Sequence, residues 1–81
     1  MPDVSVVSRS ITINARWDPE ANVWIATSDD VAGLVVEADI WPVMIEEVRL
    51  VLPDLLELSG EPADSLSLTF RAEEHLDVAG A

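Results

Sequence analysis

Between Trp41 and Leu55 the chain carries one stripe of apolar residues at helical spacing. Trp41, Met44, Ile45, Val48, Val51, Leu52 and Leu55 recur every three or four positions, with Glu46, Glu47 and Arg49 on the outer side. A helix with such a stripe must bury it, and the rest of the chain offers only strand patterns to bury it on, so the sequence calls for one helix laid on one sheet. Asp39 reads as the helix N-cap or as the residue just before it, and Pro42 suits the first turn, where its missing N–H costs nothing. Pro53 is expected to end or kink the helix near Val51. A further turn or so then runs through Leu55, Leu56 and Leu58 before Gly60 stops it.

Upstream of the helix the period changes from 3.6 to 2. Ile11, Ile13, Ala15 and Trp17 alternate with Thr12, Asn14 and Arg16, the pattern of a half-buried strand. Asp18, Pro19, Glu20, Ala21 and Asn22 supply a turn, and Val23 to Thr27 have the β-branched and aromatic content of a second strand. The expected register puts Trp17 opposite Val23 and Ala15 opposite Ile25, which sends Trp24 and Ala26 to the sheet face away from the helix. A slip of one residue reverses that assignment and places Trp24 in the core. Ser28 to Gly33 form a second turn, and Leu34 to Ala38 a third strand. After a linker over Glu61 to Asp64, Leu66, Leu68 and Phe70 alternate with Ser67, Thr69 and Arg71 as a fourth strand, parallel to the first. The expectation is a single α+β domain ordered β-β-β-α-β, a three-strand antiparallel meander plus a fourth strand, with one kinked helix on one face. Its ordered core spans about residues 10–72, with frayed ends.

Composition removes several functions. Sixteen Asp and Glu against four Arg, with no Lys, give a formal charge of −12 in 81 residues. Arg9, Arg16, Arg49 and Arg71 are scattered, so no basic surface for direct nucleic-acid binding is expected. The acidic field favours a basic partner. The absence of cysteine excludes a disulfide scaffold, a zinc finger and a thiol nucleophile, and fits a cytoplasmic protein. No apolar run reaches the roughly 20 residues that cross a bilayer as a helix.

Carboxylates are the plentiful reactive groups. Asp18, Asp29, Asp30, Glu37 and Asp39 stand at predicted strand ends and turns, where a two-metal nuclease would hold its ions. Asp29 and Asp30 read more simply as turn formers and Asp39 as a cap, so no metal or other cofactor is expected. His75 has no serine, cysteine or second histidine placed to form a nucleophile and base. The three glycines are isolated and form no phosphate loop. These features point away from an enzyme. Trp17 and Trp41 suit structural roles in the hairpin core and at the head of the helix. Trp24, on the open face in the expected register, would form an apolar patch with Ala26 and Val35, ringed by Arg16, Glu37 and Asp39, of the kind that marks protein interfaces.

The segments Trp17-Asp18-Pro19-Glu20-Ala21, Val23-Trp24-Ile25-Ala26, Ser28-Asp29-Asp30-Val31-Ala32-Gly33-Leu34 and Glu37-Ala38-Asp39 together resemble the HicB-like antitoxin family, in particular its small single-domain branch. The resemblance covers about Ile11 to Gly60. It implies a partial ribonuclease H-like sheet with one main helix, usually oligomeric, that binds and neutralises a small basic RNA-cleaving toxin, HicA. Relatives often carry a C-terminal DNA-binding segment. The residues after Phe70 are too few and too acidic to form one, so operator binding is not expected. Ile40-Trp41-Pro42 stands where the family has a Thr and acidic residues.

The expected function is therefore a bacterial, non-catalytic, antitoxin-like binding module. Trp24 is its anchor, and Asp29, Asp30, Glu37 and Asp39 its acidic surround for a HicA-like toxin. The alternative is an oligomerising domain, a homodimer or homotetramer that self-associates through its open sheet face.

Overall fold

Side-chain periodicity decides where each element forms. The computed structural model describes residues 8–80, and the frayed N-terminus expected from the sequence lies mostly outside them, while residues 74–80 carry no regular secondary structure. The elements are β1 (Ser8–Asp18), β2 (Val23–Thr27), β3 (Val35–Ala38), α1 (Trp41–Leu58) and β4 (Ser65–Glu73). They form a four-stranded sheet in the order β3-β2-β1-β4, with β1 antiparallel to β2, β2 antiparallel to β3 and β4 parallel to β1. This is the α+β arrangement that the sequence periods predict.

One sheet face and one helix face make the core. Ile11, Ile13 and Ala15 of β1, Ala26 of β2 and Val36 and Ala38 of β3 are buried with Met44, Val48, Leu52 and Leu56 of α1. The helix is a single 18-residue element that carries Pro53 in its interior instead of ending near Val51. Proline removes one i to i−4 hydrogen bond, here the one that Arg49 would accept. Both residues are exposed, so water can serve the freed carbonyl, while Leu52 and Leu56 on either side are fully inside. Tertiary packing outweighs the local rule. Gly60, at φ +76°, ends the helix in a Schellman motif: its N–H donates to the Glu57 carbonyl at 3.0 Å, and the Glu61 N–H to the Leu56 carbonyl at 2.8 Å.

The first hairpin corrects the expected register. Asp18 pairs with Val23 and Trp17 with Trp24, so the loop is Pro19–Asn22, one residue shorter than the predicted turn. Asp18 closes the strand with its backbone and the turn with its side chain. Its Oδ1 accepts from the Glu20 and Ala21 N–H groups at 3.0 and 3.4 Å, and its carbonyl accepts from Asn22 at 2.8 Å. Asn22 takes the left-handed conformation, φ 56°, which an Asn tolerates better than most residues. Directly paired residues share a face, so this slip moves Trp24 and Ala26 to the helix side and Val23 and Ile25 to the open side.

Candidate partner-binding surface

The corrected register builds an aromatic cluster at one end of the sheet. Trp24 stands opposite Trp17 on one side and Ala38 on the other, while Ala15 pairs with both Ala26 and Ala72. This row of alanines leaves room above the sheet for the indole of Trp41, which enters from the first turn of α1. Ring centroids lie 5.6 Å apart for Trp17 and Trp24, 4.9 Å for Trp24 and Trp41, and 6.0 Å for Trp41 and Phe70, each pair edge to face. Such pairs contribute about 0.5–1.5 kcal/mol each beyond the area they bury. All four rings remain partly accessible.

Carboxylates surround this end. β1 and β4 finish here and β2 begins here, which gathers Asp18 and Glu20 of the hairpin, Glu37 and Asp39 at the end of β3, and Glu73 of β4. Glu20, Glu37, Asp39 and Glu73 are exposed. Asp39 precedes the N-cap Ile40, which makes no side-chain capping bond. The second of its two predicted placements is therefore the one found.

The five residues singled out from the sequence separate into two groups. Trp24, Glu37 and Asp39 belong to the aromatic end, although Trp24 is the middle of a partly buried stack and not a free anchor on the open face. Asp29 and Asp30 lie in the β2–β3 loop, at the other end of β2. Asp30 has structural work there. Its Oδ2 accepts the Thr12 N–H at 2.8 Å, and Ser28 Oγ donates to the Thr12 carbonyl at 2.7 Å, so two side chains continue the β1–β2 ladder where β2 has ended. The Asp30 N–H in turn donates to Ser28 Oγ at 3.0 Å. Asp29 is exposed.

The open face is polar over β1 and β4, and the Trp24 and Ala26 expected on it lie on the helix side. Ser8, Ser10 and Thr12 run beside Ser65, Ser67 and Thr69 in register, followed by Asn14 beside Arg71 and Arg16 beside Glu73. Val23, Ile25 and Val35, the last 64% exposed, are its apolar members, all on β2 and β3. Among the described residues no three His, Asp or Glu side chains converge into a group able to hold a metal ion, and no polar side chain is buried.

Trp17, Trp41 and Phe70 were legible only as core residues. The signal for their assembly is the mirrored spacing Ala15–Trp17 and Trp24–Ala26. Pairing Trp with Trp and Ala with Ala gives a large-and-small relief into which a third indole fits. The alternative register has no such fit.

The profile of a domain of unknown function, DUF1902, matches residues 10–78. A crystal structure of the hypothetical protein TTHA1013 from the extremely thermophilic bacterium Thermus thermophilus is similar, with 35% sequence identity and a TM-score of 0.68 over 89% of this chain and 100% of that one. A search of curated proteins finds no match.

Proposed function

The chain belongs to the DUF1902 family, and from that premise we propose that it is a non-catalytic binding module of the HicB-like antitoxin kind, which holds a small basic protein. The observation that carries the reading is the partly accessible Trp17–Trp24–Trp41–Phe70 cluster set among exposed carboxylates on a chain of formal charge −12. Aromatic groups at the centre of an interface supply much of its affinity, and an indole face accepts an Arg or Lys side chain. The carboxylates raise the encounter rate with a basic partner and repel RNA, which shares their sign. A basic RNA-cleaving toxin of the HicA type has the complementary chemistry, and its neutralisation would take place in the cytoplasm. No described helix is long and apolar enough to cross a membrane.

The test is capture from the native lysate at low and moderate salt, repeated with the double variant Glu37→Gln, Asp39→Asn. Both side chains are exposed, so the fold should be unaffected. The expected result is a small basic protein that cleaves RNA once freed, with capture weakened about tenfold by the variant and by added salt. Recovery of the chain alone would overturn the reading, as would capture of an acidic partner or of one that leaves RNA intact.

A further inference from the structure

We infer that β4 is a self-pairing edge, through which two copies of this chain join antiparallel into one continuous sheet. This goes beyond the binding reading and rests on the β4 edge, which shares Phe70 with the aromatic cluster. The two edges of the sheet are unlike. β3 has four residues, includes Glu37 and lies against α1, whereas β4 has nine and, among the described residues, no element on its far side. Exposed edges of soluble proteins are normally short or blunted by charge, proline or a bulge. Ser65–Phe70 has neither charge nor proline, in a chain where one residue in five is acidic.

The helix-side surface of β4 is also incompletely covered. Leu66, Leu68 and Phe70 pack against the core, Phe70 touching Trp41 of α1, yet all three stay only partly buried. A second β4 in the same sheet would cover them. A two-fold axis normal to the sheet keeps both helices on one side and matches like faces. With Leu68 opposite its own copy, Leu66 meets Phe70 of the other chain, Ser67 meets Thr69, and Ser65 meets Arg71. Apolar residues meet apolar ones and hydroxyls meet hydroxyls, and no like charges stand opposed. A slip of one residue would set Leu against Ser and Thr. The buried area lies near the lower bound of specific interfaces, about 1,200 Å² in total, so a micromolar dimer is expected.

Salt separates this contact from the proposed binding of a basic partner. Two chains of charge −12 repel, so added salt strengthens the dimer, while it weakens a complex with a basic protein. The chain has no cysteine, so one introduced thiol reports cleanly. Leu68→Cys should form a disulfide-linked dimer under mild oxidation at least tenfold faster than Val35→Cys, which sits on the opposite edge strand. Light scattering from about 1 µM to 1 mM should show the wild type passing from one chain to two. Thr69→Lys, an exposed site, should remain at one chain with an unchanged circular dichroism spectrum. A wild type that stays monomeric, a Leu68→Cys that cross-links no faster than Val35→Cys, or a folded Thr69→Lys that dimerises like the wild type would each overturn the inference. Should Thr69→Lys fail to fold, the cross-linking comparison decides.

Discussion

Replacing Trp24 and Ile25 in turn by Ala tests the register on which the candidate surface depends. Trp24 faces the helix side and contacts Trp17 and Trp41, at 5.6 and 4.9 Å between centroids. Truncating it removes roughly 120 Å² of buried apolar surface, worth about 3 kcal/mol at about 25 cal/mol per Å². Losing two edge-to-face pairs adds about 1–2 kcal/mol, part of which the neighbouring rings recover by closing in. The expected net cost is about 3–4 kcal/mol. A domain of this length has a total stability of roughly 4–12 kcal/mol, so the melting temperature should fall by about 12–30 °C. Ile25 lies on the open face opposite Arg16 and Glu37 and is only partly buried, and its truncation should cost about 1 kcal/mol or less. Urea unfolding followed by circular dichroism measures both without relying on the fluorescence of the indole that has been removed. If Ile25→Ala costs more than Trp24→Ala, the strand faces the other way and the aromatic end does not exist as described.

Two further substitutions probe local devices. Asp30→Ala removes the acceptor of the Thr12 N–H and should cost about 1–1.5 kcal/mol in urea unfolding, against under about 0.5 kcal/mol for Asp29→Ala, which no hydrogen bond fixes. Equal costs would show that the side-chain extension of the ladder contributes nothing. Pro53→Ala should raise stability by about 1 kcal/mol. It restores a helical N–H on the exposed side, offset by the greater freedom of the unfolded chain, and a loss of stability would show that the ring is needed for packing.

The elements were legible because two strands alternate apolar with polar residues, a third is rich in β-branched and aromatic residues, and one helical stripe leaves little freedom in class or order. The facing of Trp24 was not, because it depends on a single residue at a turn. Asp18 has the composition of a turn former and does cap the turn, yet it also makes the last strand pair, and sequence preference reports only the first role. What shortens the loop is Asn22 taking positive φ, a property of one backbone angle. Pro53 shows the opposite conflict, in which a strong local rule yields to four buried residues on the far side of the helix. Asp30 reads as a generic loop carboxylate until the end of β2 leaves the Thr12 backbone without a partner on the β2 side.

The two proposed contacts also fix how an assembly would be arranged. β4 runs toward the aromatic end, since it is parallel to β1 and carries Phe70 and Glu73 near its finish. In an antiparallel pair of β4 strands the two finishes point in opposite directions, which sets the aromatic ends at opposite extremes of the joined sheet. Each end then keeps its own carboxylates and its three indoles, Phe70 being covered by Leu66 of the other copy, and two basic partners can be held without touching. The expected complex has two copies of each protein. Thr69→Lys should reduce it to one of each while leaving the affinity per site within about twofold, because Thr69 pairs with Thr12 on the open face of the sheet, opposite to the rings. Light scattering of the mixed proteins gives the stoichiometry and calorimetry the affinity per site. A loss of partner binding in the folded Thr69→Lys protein would mean that the partner bridges both copies, and that the aromatic end of one chain is not a complete site.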